Sequence, residues 1–224
     1  MNDIHFDALR RQMLVDIEAH TQFVSQQTGR TAINERVLEV MARIPRHEFV
    51  PPEIMPYAYV DTPLPIGFGK TISQPFIIAL MTDLLDISKD DRVLEIGTGL
   101  GYQAAILAEM AKEVYSVEII EELAKGARGR LERRGYRNVQ MRQGDGYYGW
   151  PEQAPFDKVI CTAAPDLIPP PLLGQLKPRG RMVVPAGIPD AQQLLLVERD
   201  GDGRIRTKEI LPVRFSQLES GDRE

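Results

Sequence analysis

The chain has 224 residues, of which 43% are apolar, so it can bury a substantial core as one domain and is too apolar to be disordered. A formal net charge of −5 argues against a nucleic-acid footprint. The single cysteine, Cys161, excludes an internal disulfide and suits a reducing cytoplasm.

Three scattered histidines (His5, His20, His47) and one cysteine argue against a metal site. No apolar run approaches the ~20 residues that span a bilayer. The start, Met1-Asn2-Asp3-Ile4-His5, has neither the basic nor the apolar block of a signal peptide.

Apolar spacing through Ile4, Leu9, Met13 and Ile17 predicts a helix over residues 4–28. A second, short helix is expected from Asn34 through Val37, Leu38, Val40 and Met41, stopped before Pro45. Residues 50–75 carry Pro51, Pro52, Pro56, Pro63, Pro65, Gly67 and Gly69 with Tyr57, Tyr59 and Phe68 between them. This reads as a long ordered loop without secondary structure, a kind of segment that often carries function. A helix over Ile77–Leu85 follows it, with Ser73 as a candidate N-cap and Pro75 in its first turn.

From residue 91 strands alternate with helices. The strands are expected at Arg92–Ile96, Glu113–Glu118, 138–142, 156–162, 180–185, 192–198 and about 205–215. Helices follow the first, second and fourth of these. The last two strands, joined at Asp200-Gly201-Asp202-Gly203, read as an antiparallel hairpin. The expectation is a doubly wound, mostly parallel α/β sheet ending in that hairpin, preceded by N-terminal helices. One domain would cover 1–224: a helical region with the proline-rich loop over 1–90, and an α/β core over 91–218. Cys161 falls inside an apolar strand and reads as a buried structural thiol. Arg128, Arg130, Arg133, Arg134 and Arg137 lie among Glu121, Glu122 and Glu132 and read as a solvated helix face. The tail Glu219–Glu224 is polar and expected to fray.

The most informative stretch is Val93-Leu94-Glu95-Ile96-Gly97-Thr98-Gly99-Leu100-Gly101-Tyr102. A buried strand breaks into a glycine loop and restarts as a helix, the arrangement that presents free N–H groups to a nucleotide-like cofactor. The spacing G-x-G-x-G, with Tyr102 where the dinucleotide fingerprint has its third glycine, departs from that fingerprint. Glu95 at the strand end would repel a pyrophosphate but favour a cofactor bearing ammonium and sulfonium charges, such as S-adenosylmethionine. Glu118 closes the second strand about 20 residues beyond Gly97, where an acid can take two ribose hydroxyls. Gly144-Asp145-Gly146 closes the third, where Asp145 can accept from an adenine amino group.

Other elements are more specific. They are Pro45-Arg46-His47-Glu48-Phe49-Val50-Pro51, Ala58-Tyr59, Pro63-Leu64-Pro65-Ile66-Gly67, Thr71-Ile72-Ser73-Gln74-Pro75, Gln175-Leu176 and Pro185-Ala186-Gly187. Together with the glycine loop and Gly144–Gly146, they resemble the protein-L-isoaspartate O-methyltransferase family over nearly the whole chain. The resemblance implies a Rossmann-like class I methyltransferase fold. It also implies methyl transfer from S-adenosylmethionine, leaving S-adenosylhomocysteine, to the free α-carboxylate of L-isoaspartyl residues in damaged proteins and peptides. By the same resemblance Ser73 is the active-site hydroxyl, and Thr71, Ile72 and Gln74 help form the wall between cofactor and substrate. Glu95, Gly97, Thr98, Gly99, Gly101, Tyr102, Glu118, Asp145 and Gly146 bind the cofactor, and no metal takes part.

A carboxylate is already a nucleophile, so this chemistry needs no strong base, and none of the histidines is expected near the loop. Where the family ends its last strand in a Val-Arg-Phe-Val-Pro-Leu-like run, this chain has Val213-Arg214-Phe215-Ser216-Gln217-Leu218. The partners implied are isoaspartyl proteins and peptides, with no nucleic acid and no membrane, for a cytoplasmic monomer. The alternatives are a class I methyltransferase with another substrate, an NAD-dependent dehydrogenase and a non-catalytic isoaspartyl-peptide-binding module. Cys161-Thr162-Ala163-Ala164-Pro165-Asp166 lacks the Asn/Asp-Pro-Pro-aromatic grip of amino-directed nucleic-acid enzymes.

Overall fold

A computed structural model describes the backbone of residues 3–221 and the side chains from His5 onward. Met1-Asn2, the Ile4 side chain and residues 222–224 of the expected frayed tail lie outside the described residues. The chain divides into two compact units, one ending at Asp83 and one beginning at Leu84.

The first unit opens with α1 (Asp3–Phe23) and α2 (Ser25–Thr28), then α3 (Glu35–Arg43). The single helix expected over 4–28 is therefore two. The break falls at Val24, whose φ of −98° and ψ of 12° leave the helical well, and Gly29 in the left-handed region closes α2. α3 begins where expected, with the Asn34 side chain accepting the Arg36 N–H at 3.0 Å. It ends as Ile44 turns extended ahead of Pro45. Met13 and Ile17 of α1 and Val37, Val40 and Met41 of α3 are buried, and the two helices pack together.

Residues 50–75 are more regular than the sequence suggests. A 3-10 helix spans Pro52–Tyr57, and β1 (Leu64–Gly67) pairs antiparallel with β2 (Lys70–Ile72). The correction has a local cause: Gly67, Phe68 and Gly69 all take positive φ (89°, 54° and 66°), and so close a tight hairpin within the proline-rich stretch. α4 (Pro75–Leu85) follows directly.

The second unit holds a seven-stranded sheet in the order β5-β4-β3-β6-β7-β8-β9. Its strands are β3 (Arg92–Ile96), β4 (Glu113–Glu118), β5 (Val139–Gln143), β6 (Phe156–Cys161), β7 (Leu176–Ala186), β8 (Gln192–Arg199) and β9 (Ile205–Val213). The strands from β5 to β7 are parallel, and β8 and β9 add antiparallel. α5 (Tyr102–Met110), α6 (Glu121–Arg133) and the short α7 (Pro170–Gly174) are the crossovers. β7 starts four residues earlier than the sequence reading, because a register irregularity opposite Phe156–Lys158 absorbs Lys177-Pro178-Arg179. Leu94, Ile96, Val117, Val159, Cys161 and Val184 build one wholly buried core cluster. Burial raises the Cys161 thiol to about 12, so it is an inert apolar filler. On and after α6, Arg128, Arg133 and Arg137 are exposed, but Arg130 and Arg134 are half-buried, and burial lowers the Arg130 pKa, so the expected solvated face is only partly so. β3 lies between β4 and β6, and the chain winds away from it in both directions, which makes its carboxyl end the topological switch point.

Candidate active site

In the first unit, β2 runs directly into the element Thr71–Gln74. Thr71 is exposed on the hairpin, Ile72 is buried, and Ser73 and Gln74 are half-buried between β2 and α4. Gln74 is tethered: its amide donates to the Asp61 carbonyl at 3.1 Å and to Asp61 Oδ2 at 3.0 Å. Asp61 Oδ1 accepts the Phe76 N–H at 2.8 Å. The first turn of α4 is thus capped from a distant residue, and the Ser73 hydroxyl is not needed for that task.

The expectation that no histidine lies near the loop is corrected. His20 Nδ1 sits 3.0 Å from Asp61 Oδ2 and 3.4 Å from the Gln74 amide, and its ring stacks on Phe76 with centroids 4.0 Å apart. His47 Nδ1 lies 2.8 Å from the Tyr59 hydroxyl, whose pKa burial raises. Sequence separation hid both contacts: His20 and Gln74 are 54 residues apart.

In the second unit, Gly97, Gly99 and Gly101 follow β3 with φ of 90°, 55° and 91°. Gly97 shows why glycine is required. A Cβ there would lie 2.5 Å from Thr162 Oγ1, and that hydroxyl donates to the Gly97 carbonyl at 2.5 Å. Gly97→Ala is expected to cost roughly 2–4 kcal/mol, the sum of left-handed strain and overpacking, read as a lowered midpoint in denaturant. An unchanged midpoint would contradict this packing. A Cβ on Gly146 would press on Ile96 Cγ2 at 2.4 Å, so that glycine is held by the end of β3.

Two carboxylates behave differently. Glu118 is buried and fully engaged: Oε2 accepts the Gly99 N–H at 2.8 Å and Oε1 the Ile120 N–H at 3.0 Å. It therefore shapes the glycine loop, and each oxygen keeps a second lone pair for a hydroxyl donor. Glu95 is wholly buried on β3; Oε2 accepts from Ser116 Oγ, which in turn meets Thr98 Oγ1 at 2.5 Å. Glu95 Oε1 is buried with no hydrogen-bond partner among the described residues. Desolvation raises Glu95 from its ordinary 4.5 to about 8, opposed by the Ser116 hydrogen bond and reinforced by nearby Glu118. A buried acid with one unanswered oxygen fits a cofactor carrying positive charge, and a pyrophosphate would worsen it.

Asp145 spends Oδ1 on the Tyr147 N–H at 2.8 Å and Oδ2 on the Gly221 N–H at 3.1 Å. Tyr102, the first residue of α5, is 1% exposed, so its side chain is part of the packing. The departure at the chain end is built in: the Ala164 N–H donates to the Ser216 carbonyl at 2.9 Å, and the Leu218 N–H to the Ala164 carbonyl at 2.8 Å. A cavity of about 800 Å³ opens there, lined by Tyr147, Ala164, Asp166, Leu167, Gln217 and Leu218 among others. Among the described residues no group of three or more His, Cys, Asp or Glu is placed to hold a metal, and no helix is long and apolar enough to cross a membrane. Sequence reasoning gave no role to Arg46, Asp61, Ser116 or Thr162, although Arg46 lay in the Pro45–Pro51 motif and Thr162 in the Cys161–Asp166 segment.

A parallel sheet with a glycine loop at its switch point, an acid closing the next strand and a buried acid before the glycines defines the class I methyltransferase fold, whose cofactor is S-adenosylmethionine. A sequence profile of the protein-L-isoaspartate(D-aspartate) O-methyltransferase family matches residues 18–223. The chain is 61% identical over 222 residues to protein-L-isoaspartate O-methyltransferase 1 of Polaromonas sp. strain JS666, covering 99% of this chain and 94% of that one. It is 57% identical to protein-L-isoaspartate O-methyltransferase 2 of Syntrophobacter fumaroxidans, covering 98% and 89%. A solved protein-L-isoaspartate O-methyltransferase structure superposes with a TM-score of 0.81 at 29% identity, covering 94% of this chain and 66% of that longer chain. The chain belongs to the protein-L-isoaspartate(D-aspartate) O-methyltransferase family.

Proposed function

We infer that this chain methylates the free α-carboxylate of L-isoaspartyl residues in damaged proteins and peptides, as a repair enzyme. The observation that carries this is the family match over residues 18–223, which includes the intact Thr71–Pro75 element. Bound S-adenosylmethionine supplies an electrophilic methyl group on a sulfonium and leaves as S-adenosylhomocysteine.

The residues divide the remaining work. Ser73 is the catalytic hydroxyl: it donates to one carboxylate oxygen and orients the other for attack. The acceptor is anionic at neutral pH, so no residue has to remove a proton, and His20 and Asp61 are left to hold the loop. Thr71, Ile72 and Gln74 wall the acceptor and exclude water. Excluding water favours a reaction in which an anion meets a cation and the charges cancel, and aligning two bound reactants supplies on the order of 7–11 kcal/mol. Glu95, with Thr98 behind Ser116, answers the cofactor's positive charge. Gly97, Gly99, Gly101 and Tyr102 set the loop and the start of α5. Glu118 takes ribose hydroxyls, and Asp145 and Gly146 take the adenine edge.

The same reading makes the protein a cytoplasmic monomer, one methyltransferase domain over 1–224, acting on polypeptides and on neither nucleic acid nor membrane. The lone buried Cys161 supports the reducing compartment, and the exposed Arg128 and Arg133 of α6 among glutamates, with the net charge of −5, speak against nucleic acid.

Transfer of labelled methyl to matched peptides containing isoaspartate or aspartate tests the activity. Label is expected on the isoaspartyl peptide alone and is expected to be lost in mild base, as an ester that closes to a succinimide must be. Preference for the normal peptide, or base-stable label, would overturn it.

A further inference from the structure

Arg46 is among the largest wholly buried side chains of the protein, at 0% exposure. It sits in the 3-10 turn Arg46–Glu48, and two of its nitrogens end on backbone carbonyls from distant segments. Nε donates to the Ala58 carbonyl at 2.7 Å, 12 residues on, and Nη2 donates to the Ser73 carbonyl at 2.7 Å, 27 residues on. Burying a guanidinium is costly, and a methionine or leucine would fill the same volume more cheaply. The planar fork does what neither could: it fixes the spacing of two carbonyls with charge-assisted hydrogen bonds.

Ser73 is gripped on both sides. On its own carbonyl it meets Arg46; one and three residues on, the Gln74 amide and the Phe76 N–H are both fastened to Asp61. β2, in register with β1, fixes the chain up to Ile72. The main chain at Ser73 is thereby held, and the hydroxyl keeps only its own rotamer to choose.

We propose that Arg46 is a positioning residue for methyl transfer: through the Ser73 carbonyl it fixes the direction in which the Ser73 hydroxyl meets the acceptor carboxylate. The proposal rests on the reading of Ser73 as the catalytic hydroxyl. A side chain that only filled the core would affect folding and leave turnover of the folded enzyme intact.

The test uses full-length Arg46→Lys and Arg46→Gln, each alone and combined with Ser73→Ala. Steady-state methylation of an isoaspartyl peptide gives kcat and KM, and calorimetry gives the Kd for S-adenosylmethionine. Both single variants are expected to lose about tenfold or more in kcat, while peptide KM and cofactor Kd stay within about threefold. Arg46→Lys, which keeps the charge and can reach one carbonyl, is expected to lose less than Arg46→Gln. In the Ser73→Ala background, Arg46→Gln is expected to cost less than about threefold more, because the group it positions is gone. Undiminished kcat in folded Arg46→Gln would overturn the proposal, as would the same fold-loss with and without Ser73. Insolubility of both single variants would assign Arg46 to folding and overturn it too. Wild-type kcat in Ser73→Ala alone would instead sink the reading of Ser73, and the proposal with it.

Discussion

Ser73→Ala is expected to lower kcat for an isoaspartyl peptide by about a hundredfold. The Kd for S-adenosylmethionine is expected to move by less than about twofold, because the groups assigned to the cofactor lie elsewhere. The substitution is a clean one. Residue 73 keeps its carbonyl, so the Arg46 contact survives, and the tether from Gln74 to Asp61 survives with it. Ser73 is half-buried and Asp61 takes the Phe76 N–H in its place, so the fold should lose no more than about 1 kcal/mol. What disappears is the donor that holds one carboxylate oxygen while the other attacks. Initial rates on an isoaspartyl peptide, set beside a calorimetric titration with the cofactor, separate the two quantities. Equal losses in kcat and in cofactor affinity would show that Ser73 serves the architecture and not the acceptor.

The two halves of the site were unequally legible in the sequence. The strands β3 and β4 stand at the residues read from the chain, because they are buried, mostly apolar strands with polar ends; β5, a half-exposed edge strand of mixed polarity, is displaced by one. The glycine loop and the acids that close the three strands are local features, so spacing alone found them. The proline-rich stretch resisted because its order comes from contacts, not periodicity. Gly67-Phe68-Gly69 makes a hairpin that a count of prolines and glycines reads as loop. The residues that hold Ser73 were invisible for the same reason: Arg46 reaches it across 27 residues, and Asp61 reaches Gln74 across 13. Arg46 left only a trace, its place inside the Pro45–Pro51 motif. His20 left none; its place on the long helix α1 fits a solvated side chain equally well.

Glu95→Gln is expected to weaken S-adenosylmethionine binding by about a hundredfold, while making the cofactor-free protein more stable at pH 8. The two effects share one cause. Glu95 is wholly buried, one of its oxygens is unanswered, and its pKa stands at about 8 against an ordinary 4.5. A carboxyl group whose folded pKa is raised favours the folded state fully below pH 4.5 relative to higher pH. That contribution falls away as pH rises from 4.5 and is gone once pH passes about 8, where the folded protein must bury a charge. Glutamine has no charge to bury, so the variant should lack this decline, and denaturant melts of both proteins between pH 5 and about 9 would show the curves diverging. Binding runs the other way. A cofactor cation beside Glu95 favours the carboxylate, so binding below pH 8 must expel the Glu95 proton. Wild-type affinity should therefore rise with pH, by up to about tenfold per unit, and level off above the Glu95 pKa. Calorimetry in buffers of different ionisation enthalpy should register the released proton in the wild type. A Glu95→Gln variant that bound the cofactor as tightly, with the same proton release, would show that the buried acid answers something other than the cofactor's charge.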